Sequence, residues 1–391
     1  MTVVPRARRT LPLLTAEQIA GLKPELADPV EYRKSGLSLN HIVGCPLDCG
    51  YCVRHLFDNF EMKAPRVLMS DEAAVELLTG HRYFQPHLTP IQIFNRATDP
   101  MLAVVKPHTF NVLRLLDERA LTNHVLVITR WHVDADDCAV LNSFRHLKIT
   151  VLVTHSGIDH SGIEPVDSAI AATSLRTLHE HADRYRTLLY WRPIVPGLND
   201  SDAHIRQALE LSQHAHATVF TGLFFRAQIA AYYREHGLPE PYDDIARRKI
   251  MPEESEQRIL TAFHRPANRD APWGPLFRKT SCGVAYAHGQ ADYNGHYGIR
   301  ELCDICPLAQ LELCRNSWRA PDLEQVTEQA RMLGAVGAVE VTERAIMVEG
   351  LNEPPRYFLQ HTHGYQVHDR AHPHHHRRHG RADIGWPAPT A

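Results

Sequence analysis

Short, unbroken runs of Val, Ile, Leu and Phe alternate with amphipathic stretches from Ser38 to about residue 225. Six of the runs read as strands, at 39–43, 91–94, 124–129, 148–154, 187–192 and 217–225. Runs that stay apolar at successive positions are those of strands buried on both faces, as in parallel sheets. Between them the periodicity predicts helices at 70–79, 108–118, 134–144, 166–183 and 200–214. The first begins at Ser70-Asp71-Glu72-Ala73, where Ser70 is a plausible N-cap. Strand and helix in alternation give an α/β fold with right-handed crossovers, in a doubly layered or barrel arrangement. Functional side chains are then expected at the C-terminal ends of the strands.

The rhythm stops after residue 225. Residues 1–35 read as a polar, Pro-rich lead-in, and 226–320 as a helical, loop-rich extension. Residues 321–370 predict a small α+β appendage: a helix at 322–333, then strands at 336–342 and 345–348 turned by Glu343-Arg344. Residues 371–391 are rich in His and Pro and are expected to be a disordered tail. The segment 360–368 and the tract 372–379 carry several histidines, read as incidental, weak ion binders on a flexible tail.

Composition narrows the function classes. The chain has 391 residues, 42 Lys+Arg against 45 Asp+Glu, and a net charge of −3, so a chain-wide nucleic-acid footprint is absent. No apolar run is long enough for a transmembrane helix, and Leu11–Leu14 is too short for the core of a signal peptide. Eight cysteines without a secretory signal argue against a disulfide framework and for a cytoplasmic, metal-ligating role. No phosphate-binding Gly-rich motif and no Ser-His-Asp order is present.

Seven of the cysteines fall into two groups. The first is Gly44-Cys45-Pro46-Leu47-Asp48-Cys49-Gly50-Tyr51-Cys52, directly after the first predicted strand. One loop can wrap three thiols around a soft metal centre, since Pro46 and Gly50 permit tight turns. Three thiols leave one position of a four-iron cluster without a protein ligand. A zinc ion would want a fourth ligand, which His41 or His55 would supply.

The C-x-x-x-C-x-x-C spacing, with an aromatic residue before the last Cys and a βα series behind it, resembles the cluster loop of the radical S-adenosylmethionine (radical SAM) superfamily. Phe94–Pro100, Val125–Arg130 and Arg192–Asp200 resemble its spore photoproduct lyase-like branch. The resemblance spans roughly residues 36–225 and implies a partial (β/α)6 barrel. It implies a [4Fe–4S] cluster on Cys45, Cys49 and Cys52 whose open iron chelates SAM. It also implies reductive cleavage of SAM to methionine and a 5′-deoxyadenosyl radical, and an electron donor such as flavodoxin or ferredoxin. By the same resemblance Tyr51 lies by the adenine, and Asn95, Thr98 and Asp99 stand where the amino group is held. This stretch departs from the usual Gly-Gly-Glu-like motif. Thr154 and Ser156 would reach the ribose and Arg192 the carboxylate; turn and capping chemistry is the competing reading for Thr154, Ser156 and Asp99. The hydrogen-donating cysteine of spore photoproduct lyase has no clear counterpart. Cys138 falls in a predicted helix and reads as a small core residue.

The second group is Cys282-x20-Cys303-x2-Cys306-x7-Cys314. Cys282, Gly298 and Cys303 resemble the start of the SPASM or twitch auxiliary-cluster segments of radical SAM enzymes. The resemblance implies a second [4Fe–4S] cluster with four thiolate ligands, able to relay an electron; a structural zinc site is the alternative. His155, His160 and Tyr190 fall near the strand-end face and read as local hydrogen-bonding residues. The expected function is hydrogen abstraction from a small-molecule or peptide substrate. Nucleic-acid repair in the manner of spore photoproduct lyase and a non-catalytic zinc or Fe–S scaffold are the alternatives.

Overall fold

The computed structural model describes residues 11–242, 251–263 and 274–371. Thirteen strands are present among them: β1 Val30–Arg33, β2 Gly36–Leu39, β3 Ile42–Val43, β4 Arg66–Val67, β5 Ile91–Ile93, β6 His124–Thr129, β7 Lys148–His155, β8 Arg186–Ile194, β9 Ala217–Gly222, β10 Leu276–Phe277, β11 Glu340–Val341, β12 Ala345–Val348 and β13 Gln366–Asp369. Eight form one sheet in the order β1-β2-β5-β6-β7-β8-β9-β10. The pairs from β2 through β10 are parallel, and β1 closes one edge antiparallel to β2. Because β1 and β10 do not pair with each other, the sheet is an open, partial barrel.

Each parallel connection carries a helix on the outer face. Val125, Val127, Val151 and Val153 join Val112, Leu113, Cys138, Leu141 and Leu175 in the main hydrophobic cluster. Cys138 is fully buried there, with its sulfur 3.9 Å from the Thr177 carbonyl. Ser70 caps the helix Asp71–Thr79 by accepting from the Ala73 N–H at 3.2 Å, as its sequence position predicts.

Two stretches depart from the sequence expectation. The apolar run 39–43 is not one strand. The barrel strand ends at Leu39, and Ile42–Val43 turns away to pair antiparallel with Arg66–Val67. Gly44 then takes φ 98°, and a Cβ there would lie 2.4 Å from the Ala64 carbonyl oxygen. The lead-in also contributes to the sheet, since Val30–Arg33 is its edge strand.

In the appendage β11, β12 and β13 form a sheet covered by Leu323–Met332 and Glu353–His363. The extended run expected at 336–342 shrinks to Glu340–Val341, because Gly337 takes φ 70°. The segment 360–368 is a helix end and a strand rather than part of a flexible tail. His361 and His368 are buried, and His361 bonds the Tyr32 hydroxyl at 2.7 Å. The tract 372–379 lies outside the described residues.

The extension divides: its helix Ala227–Glu235 packs against the turn Val53–Phe57 that follows the first cysteine group, while the cysteine-bearing part lies inside the barrel. Its helix Thr280–Ala287 packs on the inner face of the barrel, where Val284 meets Leu126, Leu152, Leu188 and Val219. Gly283 lets it approach, for a Cβ there would stand 2.7 Å from Val219. The residues just after it reach the strands' first halves, through His288 to Thr150 and Gln290 to His124.

Candidate active site

A cavity of about 320 Å³ opens at the C-terminal ends of the parallel strands. It gathers Cys45, Cys49 and Cys52 with Tyr51, Asn95, Thr98, Asp99, Thr154 and Arg192, each brought there by its place after or at the end of a strand. Ser156 is not among the lining residues: its hydroxyl turns away, donating to Glu164 at 2.8 Å.

The cysteine loop is pinned from below by a side chain that sequence reasoning missed. Arg54, fully buried in the 3-10 turn Val53–Phe57, donates to the carbonyls of Cys45 at 2.8 Å, Asn59 at 2.8 Å and Met62 at 2.9 Å. A guanidinium is the one side chain with enough fixed donors to serve several carbonyls. Cys45 and Cys49 are buried and Cys52 is half-buried. Burial pushes the Cys45 and Cys49 thiols up, while nearby Arg130 works against the rise at Cys49.

Arg130 and Glu164 are a second omission. Arg130 directly follows β6 and pairs with Glu164 at 2.6 Å. Glu164 also accepts from the hydroxyls of Tyr51 and Ser156. The Gly50 N–H adds a bond to the Ile163 carbonyl at 2.9 Å, so the segment around residue 164 clamps the cysteine loop.

Asp99 is occupied by the protein. Burial pushes its carboxyl up, against donors from the Thr129 hydroxyl at 2.6 Å and the backbone N–H groups of Arg130 and Met101 at 2.9 Å. Asn95 is held between Ser38 and Gln92. The Thr98 hydroxyl is buried without a hydrogen-bond partner among the described residues. Arg192 lies over the Tyr190 ring, 4.1 Å from its centre, and has no carboxylate partner among the described residues.

Tyr190 borders the second cysteine group and supports Arg192. Its hydroxyl lies 3.1 Å from Thr280 Oγ1, two residues before Cys282, and its ring shares the inner-face cluster with Cys282, Tyr293 and Cys306. Burial pushes the Cys282 thiol well up, and Asp292, Cys303, Cys306 and Cys314 add to the rise. Cys306 is pushed up to about 12 by burial and then by Cys303, Cys314 and Asp292. Asp292 and His296 stand among these thiols and were not anticipated; their signal is the Asp-x-x-x-His spacing between Cys282 and Cys303. His41 is engaged away from the first group, its Nε2 bonding Asp71 at 2.9 Å, while the His55 ring stacks on Phe60 and its Nε2 is buried without a hydrogen-bond partner among the described residues.

No family model and no curated protein matches this chain. Among solved structures it is similar to spore photoproduct lyase complexed with dinucleoside spore photoproduct, at 12% identity and a TM-score of 0.46, over 66% of this chain and 80% of that one. It is also similar to SuiB of Streptococcus suis bound to S-adenosylmethionine, at 10% identity and a TM-score of 0.39, over 60% of this chain and 48% of that one. No helix among the described residues is long and apolar enough to cross a membrane.

Proposed function

We propose that the chain is a cytoplasmic radical SAM enzyme acting on a small-molecule or peptide substrate, with a ferredoxin- or flavodoxin-like electron donor. The observation that carries this reading is the joint lining of one strand-end cavity by Cys45, Cys49, Cys52 and Arg192. The donor set fits a [4Fe–4S] cluster. Three thiols sit on one loop that lines the cavity, and His41 is engaged by Asp71. A cluster held there would supply the electron for reductive cleavage of SAM.

The chain's own residues bind and orient. Arg192 would offer a guanidinium to the carboxylate of SAM, and the Thr98 hydroxyl, without a partner among the described residues, would serve its amino group beside Asn95. Thr154 and the Tyr51 ring line the same cavity and would hold the ribose and the adenine. Asp99 and Ser156 act indirectly: Asp99 fixes the turn that carries Arg130, and Ser156 fixes Glu164. Burial excludes water, which protects a reactive intermediate.

Cys282, Cys303, Cys306 and Cys314 hold a second [4Fe–4S] cluster in this reading. Tyr190 touches both Arg192 and Thr280, two residues before Cys282, and electron exchange between the two centres is part of this reading. The test is 5′-deoxyadenosine formation from SAM under a strong reductant in anaerobic protein. Wild type should form it, and the variant with Cys45, Cys49 and Cys52 all replaced by Ala should not. Equal formation by both would reject the assignment.

A further inference from the structure

Most charged side chains lining the strand-end cavity are committed to the protein. Arg54 serves backbone carbonyls, Arg130 pairs with Glu164, and Asp48 pairs with Lys63 at 2.7 Å. Asp99 accepts from Thr129 and two backbone N–H groups. Apart from Arg192, this leaves Arg33 and Arg96, which share one partner. Glu31 Oε2 lies 2.5 Å from Arg33 Nε and 2.7 Å from Arg96 Nη1.

The two guanidiniums do not depend on that carboxylate equally. The Arg96 side chain is 1% exposed, and a cation so deeply buried needs a counter-charge. Its other terminal nitrogen serves the carbonyls of Glu25 and Asp28. Arg33 is 34% exposed and lies against the Phe57 ring, 5.5 Å from its centre. Only its Nε is engaged; the two terminal nitrogens have no partner among the described residues. One carboxylate between two guanidiniums leaves a positive charge uncompensated, and the accessible share of it is that of Arg33.

Strand alternation aims this charge. Val30 and Tyr32 join the main hydrophobic cluster, so Glu31 and Arg33 face the barrel interior. Arg33 reaches the cavity from β1, the edge strand, and Arg192 reaches it from β8, with four strands between them in the sheet order. SAM carries a single carboxylate, and Arg192 is its partner in the reading above. The free edge of Arg33 presents parallel N–H donors of the kind that bind a carboxylate or phosphate in bidentate fashion.

We propose that Arg33 is a substrate-recognition residue, and that the substrate carries an anionic oxygen group, a carboxylate or a phosphate, bound by the terminal nitrogens of Arg33. This rests on the reading of the cavity as a SAM site and narrows the substrate to acids, whether small molecules or peptides with an acidic side chain or C-terminus at the reacting end.

The test uses the full chain, reconstituted anaerobically with iron and sulfide and saturated with SAM, without reductant. Inorganic phosphate is the probe, followed by its phosphorus nuclear magnetic relaxation, with acetate as competitor. Wild type should bind phosphate saturably and acetate should displace it; the tighter of the two anions tells which group the substrate carries. Arg33→Ala should weaken this binding about tenfold or more, and Arg33→Lys should weaken it less. Iron content and calorimetric SAM affinity should match wild type in both. Phosphate binding that Arg33→Ala leaves unchanged, or a wild type with no saturable binding of either anion, overturns the inference. So does a loss of SAM affinity in Arg33→Ala with iron retained, which would place Arg33 at the carboxylate of SAM. If Arg33→Ala loses its iron, Arg33→Gln, which keeps a donor for Glu31, takes its place with the same expectation. A wild type that holds iron but binds no SAM would instead reject the reading of the cavity, and the inference with it.

Discussion

Arg130 and Glu164 form a buried ion pair of 2.6 Å directly beneath the cysteine loop. Tyr51 ties the loop to this pair through its hydroxyl, and Cys49 lies beside it, its sulfur 3.9 Å from Glu164 Oε1. Removing one member of a buried pair strands the other charge, which costs about 3–5 kcal/mol. Glu164→Ala should therefore lose that much stability in urea unfolding and retain less iron at the first site. Glu164→Gln, which keeps an acceptor for Tyr51, should lose less. Wild-type stability in the Ala variant would mean that the pair does not hold the loop.

Arg192 has an aromatic support and no acidic partner among the described residues, so its charge is available to a ligand. Arg192→Ala should weaken SAM binding by about 1.5–3 kcal/mol, roughly 10- to 150-fold, with iron content unchanged. Calorimetric titration of the reconstituted protein measures this. Unaltered affinity would assign the residue a purely structural role against Tyr190.

On the outer face, Asp71 is the hub of a buried network that accepts from His41 and His108 at 2.9 Å and Asn111 at 2.8 Å. Burial alone would push its carboxyl up, but these donors hold it well below its usual value of 3.8. A depressed folded-state pKa contributes stability that is present above the unfolded value and lost as pH falls. Asp71→Asn should thus be less stable than wild type by roughly 3 kcal/mol near neutrality. The gap should stay level down to about pH 4 and close below it. A gap that did not narrow in acid would remove the carboxylate charge as its source.

The barrel was legible where apolarity and pairing coincide. The run His124–Thr129 is a strand over its whole predicted length, because it is central and covered on both faces. The run 39–43 misled because its last two residues find their partner at Arg66–Val67, which no local pattern announces. That Cys45, Cys49, Cys52 and Arg192 share one cavity was legible from spacing and strand ends. Arg54, Arg130 and Glu164 were not, since a charged residue in sequence looks like a surface position, and only the fold supplies the carbonyls and counter-charge that bury it. Ser156 sits two residues beyond Thr154, yet its hydroxyl serves Glu164, so the same strand end yields one lining and one supporting residue.

The most direct measurement is iron and acid-labile sulfide per chain in anaerobically reconstituted protein, for wild type and for the Cys45/Cys49/Cys52→Ala variant. Two four-iron centres require about eight iron and eight sulfide in wild type and about four of each in the variant. Zinc in place of iron at the first site, or an iron content that the triple substitution leaves unchanged, would contradict the assignment of Cys45, Cys49 and Cys52 as the ligands of a catalytic cluster.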